Sequence, residues 1–312
     1  MPAMPANLEI SFIVVNWNTR EYLLACLESI HRTVTDIPFE IILVDNASLD
    51  GSVEAVEKRF PEVHIIRNET NRGFAAANNQ AFTPMRGRYA LLLNTDAVLL
   101  DGAVKELHTF METQTDAAMA CGQLLNRDGT RQRSVAAFPS WLTLIANETL
   151  LSLLFPRKHP GKHRCPATPH PVDSCIGACL MVRSSAIREV GGFDERYFFF
   201  FEETDWALQM KKAGWSSYLV PQARIIHDQG QSVGQNVRAR IHFYRSRYRY
   251  LRKWHPRSFV LLWTLVFLRL LVNTLLASAG VLLSFGTARA LRRRLKVYIQ
   301  LIFWHLKGCP EP

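Results

Sequence analysis

Four short apolar runs, each closing on polar residues, constrain this chain more than any other feature. They are ISFIVVNW, FEIILVDNAS, VHIIRNE and RYALLLNTDAVL. The segments between them have helical character. In REYLLACLESIHRTV, Leu23, Leu24, Leu27 and Ile30 share one face. SLDGSVEAVEKRF opens with cap-type residues, and NRGFAAANNQAF is a Gly/Ala-rich helix start. Strands apolar on both faces and separated by helices imply an α/β fold, with a mixed, mostly parallel sheet and right-handed crossovers. In such sheets ligands bind beyond the carboxyl ends of the strands. Those ends carry Asn16, Asp45, Asn46, Asn94 and Asp96.

Beyond residue 125 the pattern loosens. RKHPGKHRCPATPHP reads as a mobile loop. VDSCIGACLMVRS then resumes a buried strand, SAIREVGGF is a helix closed by Gly, ETDWALQMKKAGW is another, and SSYLVPQARIIHD is a last strand. No internal repeat is visible. The net charge of +10 is uneven: residues 238–312 hold 15 Lys or Arg and one acid, Glu311, so the rest of the chain is net acidic. This argues against a nucleic-acid-binding body and for one basic surface facing an anionic partner, such as a membrane.

Within the tail, FVLLWTLVFLRLLVNTLLASAGVLLSF covers 259–285. As a helix it would reach about 40 Å, enough to cross a bilayer. Both flanks are basic, which disfavours one simple crossing. A re-entrant hairpin bent between Asn273 and Gly280, or a helix lying in the interface, keeps both flanks on one side; packing as a soluble helical subdomain is the plain alternative. The expected division is a catalytic domain over 1–257 and a membrane-associating segment over 258–312. MPAMPANLEI lacks the features of a secretory leader, and the six scattered cysteines read as reduced cytosolic thiols.

Individual residues leave alternatives open. Asp96 ends an apolar strand in LLLNTDA, where a carboxylate must be solvated, hydrogen-bonded or bound to a cation. With Asn94 two positions earlier on the same face it could seat Mg²⁺ or Mn²⁺ against a diphosphate; alternatively it caps a helix. Asp45 could accept from a base N–H, and Asp50 starts the next helix. NRGFAAANN suits a close backbone approach but lacks the lysine of a phosphate-binding loop. A lone His227 is more often structural than a ligand. YFFFFEETDWAL sets Glu202, Glu203 and Asp205 directly behind four phenylalanines. That is either a buried strand running into a solvated helix start, or a catalytic site.

Taken in order, SFIVVNWNT, IILVDNASLDGS, NETNRGFAAANNQAF, YALLLNTDAVL, LLNRDGTRQRS, IGACLMVRSSAIREVGGFDERYFFFFEETDWALQMKKAGW and ARIIHDQGQS resemble the successive motifs of family 2 glycosyltransferases, of the GT-A fold. The resemblance spans about residues 8–255 and is nearest to the bacterial rhamnosyltransferase-like branch. It implies that Asn16 and Asp45 hold the nucleotide and that Arg72 and Gly73 line the phosphate site. Asn94 and Asp96 stand at the family's metal-binding Asp-x-Asp element, with Asn for the first Asp, which makes His227 a second ligand for Mg²⁺ or Mn²⁺. Gly177 and Ala178 would lie beside sugar and acceptor. Glu203 takes the position of the base, usually Asp, with Glu202 positioning the site and Asp205 beside it or orienting the next helix.

The implied activity is inverting transfer of a sugar, L-rhamnose from dTDP-rhamnose, from a nucleotide-diphospho-sugar to a polyprenyl-linked glycan acceptor. Its place would be the cytoplasmic face of a bacterial plasma membrane, in O-antigen, capsule or cell-wall assembly. The alternatives are a UDP-hexose donor on the same fold, a nucleotidyltransferase, and a catalytically inactive membrane scaffold.

Overall fold

A computed structural model of the chain describes residues 8–140, 143, 144, 153, 166–228 and 237–309. The chain divides into two compact units, one of residues 1–138 and 160–232, the other of 139–159 and 233–312.

The first unit is built on the expected alternation. The four apolar runs become β1 (Ile10–Asn16), β2 (Phe39–Asp45), β3 (His64–Arg67) and β4 (Tyr89–Asn94), with α1 (Arg20–Thr33), α2 (Ser52–Arg59) and α3 (Gly73–Phe82) between them. All pairings among these four strands are parallel, in the order β3-β2-β1-β4. β5 (Ala97–Leu99), α4 (Ala103–Thr113) and β6 (Ala117–Leu125) follow. Then come β7 (Val135–Ala136), β8 (His170–Val172), β9 (Ser174–Cys175), β10 (Cys179–Arg183), α5 (Ser184–Val190), α6 (Glu202–Lys212) and β11 (Ser216–His227).

β10 inserts between β4 and β6 and runs antiparallel to both. β11 lies parallel to β6. The full order is β3-β2-β1-β4-β10-β6-β11-β5, with β8 added to β11. The sheet is therefore mixed, as expected, and its middle strands are apolar on both faces. Phe12, Leu43, Leu91 and Met181 face the layer holding α1 and α4; Ile13, Val44, Leu92 and Leu180 face the layer holding α3, α5 and α6.

Three expectations change. VDSCIGACLMVRS is two strands, β9 and β10, broken at Gly177. Strand pairing in β4 ends at Asn94, and Thr95-Asp96 turns into β5, so strand alternation no longer relates Asn94 to Asp96. The four phenylalanines form no strand; Phe200 and Phe201 are left-handed, with φ of 70° and 69°. Most of RKHPGKHRCPATPHP lies outside the described residues, as does the end of ARIIHDQGQS.

The second unit holds α7 (Val237–Trp254), a short 3₁₀ turn at Pro256–Ser258, α8 (Phe259–Leu283) and α9 (Arg289–Leu306). It begins before the boundary expected at 258, because α7 packs on α8 and α9 through Tyr248. That ring stacks on Trp304, meets Trp263, and its hydroxyl lies 2.6 Å from His305 Nε2. α8 runs unbroken through Asn273 and Gly280, so of the alternatives above the hairpin bent there is not formed; the chain turns after α8, before α9. The helix is long and apolar enough to cross a membrane, yet it buries only the stripe Leu262, Val266, Leu270 and Ala277. Leu268, Val272, Leu275 and Leu276 stay exposed, at 50–70% of their surface.

Candidate active site

The carboxyl ends of β1, β2, β4, β6 and β11 point the same way, and antiparallel β10 begins beside them, Cys179 pairing with Leu93. This end of the sheet collects most of the polar residues singled out above, in three groups.

The first group joins β1, β2 and α3. Asn16 Nδ2 donates to Asp45 Oδ1 at 2.8 Å and to Ser48 Oγ at 2.9 Å, while Thr19 Oγ1 donates to Asn16 Oδ1. The Ser48 N–H donates to Asp45 Oδ2. Asn16 and Asp45 are both buried, so each hydrogen bond lost here would cost on the order of 1–3 kcal/mol. Asn46 continues the network. Its amide donates to the Gly73 carbonyl and its Oδ1 accepts from Asn68 Nδ2, with the Arg72 N–H at 3.5 Å. Arg72 itself is exposed and Gly73 buried. Gly73 has φ +82°, and a Cβ there would lie 2.5 Å from the Phe198 carbonyl. That carbonyl accepts from the Phe74 N–H at 2.9 Å. Glycine is required so that the phenylalanine loop can seat on the start of α3.

The second group is Asp96 with His227. His227 pairs in register with Ala97, next to Asp96, and its Nε2 lies 3.4 Å from Asp96 Oδ1. His227 Nδ1 is 3.0 Å from Gln132 Oε1. A carbonyl oxygen only accepts, so that contact places a proton on Nδ1; in the neutral ring the Nε2 lone pair then faces the carboxylate. Asp96 Oδ1 is buried and makes no hydrogen bond among the described residues. Neighbouring ligands about 2.1 Å from one octahedral cation stand about 3.0 Å apart, so the two groups would close by about 0.4 Å around Mg²⁺ or Mn²⁺. The orphaned oxygen and the imidazole beside it are the donor types such a cation accepts. Asn94 is half-buried at the end of β4, and its N–H donates to the Ala178 carbonyl.

The third group is the acidic pair. Glu203 Oε1 accepts from the Gly177 N–H at 3.0 Å. A Cβ at Gly177 would fall 2.4 Å from that oxygen, so glycine and glutamate are fitted to each other. Glu203 keeps part of its surface open, whereas Glu202 is 2% exposed and its Oε2 has no hydrogen-bond partner among the described residues. Burial pushes both carboxyls above their ordinary range; the charge of Glu203 adds to the effect on Glu202. The left-handed Phe200 and Phe201 that aim this pair cost about 1–2 kcal/mol each. They are held by the Phe198–Phe74 hydrogen bond and by the Phe199 ring, 6.2 Å from Phe74 and 4.5 Å from Phe200.

Of the two places expected for Asp205, beside the substrate or orienting the next helix, its contacts match the second. It is fully buried, its Oδ1 accepts from the Tyr197 hydroxyl and its Oδ2 from Gln209 Nε2. It ties the phenylalanine loop to α6. Ala178 is 1% exposed, so its contribution is a backbone one.

Asn79 was missed from sequence. Its Oδ1 accepts from the Phe193 N–H and its Nδ2 donates to the Phe193 carbonyl, clamping α3 to GGFDE. The signal was present: two asparagines in an alanine-rich helix have little reason to be there unless their amides are used.

A family model described as "Glycosyl transferase family 2" matches residues 11–191. An N-acetylglucosaminyl-diphospho-decaprenol L-rhamnosyltransferase of Mycobacterium tuberculosis (strain H37Rv) is 31% identical over 219 residues, 65% of this chain and 70% of that one. Among solved structures, the mannosyltransferase PcManGT from Pyrobaculum calidifontis, in complex with GDP-Man and Mn²⁺, superposes with a TM-score of 0.56 at 17% identity, over 97% of this chain and 87% of that one. GalNAc-T7 with UDP, GalNAc and Mn²⁺ gives 0.55 at 16% identity, over 70% and 44%. These likenesses carry the GT-A fold.

Proposed function

The chain belongs to glycosyltransferase family 2, and from that premise we propose that it transfers L-rhamnose from dTDP-rhamnose, with inversion, onto a polyprenyl-diphosphate-linked acceptor at the cytoplasmic face of a bacterial plasma membrane. The observation that carries the chemistry is the Glu203 carboxylate, partly open, fixed by the Gly177 N–H and raised in basicity by burial. The relative acting on a diphospho-decaprenol substrate supports the donor and acceptor classes.

In this reading Asn16, Asp45 and Ser48 form the floor on which the nucleotide base sits. Arg72 and the backbone at Gly73 face the diphosphate. Asp96 and His227 would hold Mg²⁺ or Mn²⁺, which when bound offsets the charge of the departing nucleoside diphosphate. Glu203 takes the proton of the acceptor hydroxyl. As that proton leaves, the oxygen attacks the anomeric carbon from the face opposite the nucleotide. The new C–O bond forms while the bond to the β-phosphate oxygen breaks, and its electron pair leaves with the nucleoside diphosphate. A base with raised pKa is a stronger proton acceptor, and burial is what raises Glu203. One displacement needs one base and no enzyme nucleophile. The exposed apolar face of α8 and the arginines of α7 and α9 supply the membrane contact.

The test is a panel of nucleotide-sugars with a polyprenyl-diphosphate-linked acceptor, with and without Mn²⁺, on wild type and Glu203→Gln. Transfer from dTDP-rhamnose, lost by about 10²-fold or more in the variant with donor binding retained, is the expected result. Turnover with a UDP-hexose instead reassigns the donor. No turnover of any donor identifies an inactive scaffold.

A further inference from the structure

In the second unit α9 returns antiparallel along α8. Near the end of α8, a Cβ on Gly280 would meet Leu291 Cδ1 at 2.9 Å. Near its start, the His305 ring lies 5.4 Å from Phe267 and 6.1 Å from Trp263. From Gly280 back to Trp263 these contacts follow about 25 Å of α8. The other side of the helix is bare. Leu261, Leu268, Val272, Leu275, Leu276 and Leu283 are each at least half exposed, and they fall within about 100° of its circumference over about 33 Å. The single charge of α8, Arg269, lies at the edge of that arc, half-buried, with Nη1 donating to the Leu144 carbonyl at 2.8 Å. The Thr264 and Thr274 hydroxyls donate to the Val260 and Leu270 carbonyls of their own helix, so their polarity is satisfied without water.

Cations stand at both ends of this face. At the start of α8 the Arg252 guanidinium lies over the Phe259 ring at 4.7 Å, and Arg257 is exposed. Beyond its end Arg289, Arg292, Arg293, Arg294 and Lys296 are exposed. The described residues of the unit include no aspartate or glutamate. A second copy of the unit would set these cations against their own kind, whereas an anionic membrane surface accepts them together with the apolar face. α9 then decides how that face meets a bilayer. A crossing by α8 would carry the attached α9 back through the hydrocarbon. Past Lys296 only residues 297–306 remain for the return, about 15 Å of a core about 30 Å thick. Four cations at 292–296 would then lie in the core or be moved across it, against the positive-inside preference.

We propose that α8 lies along the plane of the membrane within one leaflet of an anionic bilayer, its bare face among the acyl chains and the cations at both ends on the headgroups. The placement rests on the membrane contact of the function above and adds that α8 does not cross.

The experiment adds the full-length protein to the outside of sealed vesicles of phosphatidylglycerol and phosphatidylcholine. Leu261→Cys, Val272→Cys and Leu283→Cys each carry a fluorophore, quenched by lipids brominated at known depths; wild type labelled in the same way supplies the background of the native cysteines. All three positions should report one shallow depth, within about 5 Å of each other, whereas a crossing helix puts Val272 about 16 Å deeper than either end. Thr287→Cys, in the turn before α9, should react with a membrane-impermeant maleimide added outside, without detergent. The deep centre, or reaction at Thr287→Cys only after detergent, overturns the placement. Probes that brominated lipid leaves unquenched show the face covered by protein, a second copy included, and overturn it too. Val272→Asp and Leu275→Asp should each weaken vesicle binding about tenfold or more, and unchanged binding in both is a further refutation. Nucleotide binding and sugar transfer are read in parallel. Their loss alone counts against the proposed transferase and leaves this placement standing; a crossing helix with transfer intact does the reverse.

Discussion

Replacing Gly177 with alanine should disable the enzyme while leaving the fold intact. The added Cβ would lie 2.4 Å from Glu203 Oε1 and 3.1 Å from Cγ, against ordinary contact from 3.4 Å, so the carboxylate must retreat by about 1 Å. Gly177 does not have positive φ, so alanine adds no backbone strain there. The obstacle it meets is the end of a side chain, and the melting temperature should shift by only a few degrees. A 1 Å displacement of a reacting group costs about 10²-fold in rate, or about 2.7 kcal/mol. The assay is kcat at saturating donor and acceptor, with donor affinity by calorimetry. Donor affinity should be unchanged. The steric cause is isolated by Glu203→Asp, which removes one methylene. In that background Gly177→Ala should cost far less, giving a double-mutant coupling of at least about 1 kcal/mol. Wild-type kcat in Gly177→Ala, or strict additivity with Glu203→Asp, would refute the fitted pair.

The acidic pair also sets pH dependence. Both carboxyls are raised in the folded state, so turnover should fall on acidification above the ordinary carboxylate range in a kcat/KM profile, and Glu202→Gln should leave that limb nearly in place, because burial rather than the charge of Glu202 raises Glu203. For stability the sign is opposite to that of a salt-bridged acid. A raised carboxyl favours the fold below its unfolded pKa, and that contribution is lost as pH rises through the folded value, so Glu202→Gln should gain melting temperature near pH 8 and lose the gain toward pH 4. Asp96→Asn or His227→Ala should abolish the difference in donor affinity between Mn²⁺ and chelator; a persisting difference would remove both from the cation site. Gly73→Ala forces a left-handed alanine against the Phe198 carbonyl and should cost about 2–4 kcal/mol in urea melts.

Much of this was legible because burial leaves a mark on composition. A strand covered on both faces must be apolar throughout, so β1, β2, β4 and their polar ends stood out. Direction leaves no such mark. Nothing in CLMVR distinguishes a parallel strand from the antiparallel β10, and only pairing with Leu93 and Cys121 decides it. The phenylalanines misled for a related reason: their propensity favours a strand, but Phe198–Phe74 pairing and the start of α6 hold two of them left-handed. Asp205 could be read as a substrate neighbour or as a residue orienting the next helix, because its acidity was visible while its partners, Tyr197 and Gln209, were not marked as such. The tail's hydropathy identified α8, while Asn273, half-exposed on a helix, proved no breaker.

The position of β10 has a consequence for synthesis. β4 and β6 are complete by residue 125, yet both wait for Cys179–Arg183 to fill the place between them. At about 5–20 residues per second, that is a delay of about 3–12 seconds on the ribosome. Through it, two apolar strands present open edges, the form most prone to pairing with a neighbouring chain. Fragments truncated before Arg183, which keep those edges open, should therefore aggregate where longer ones fold.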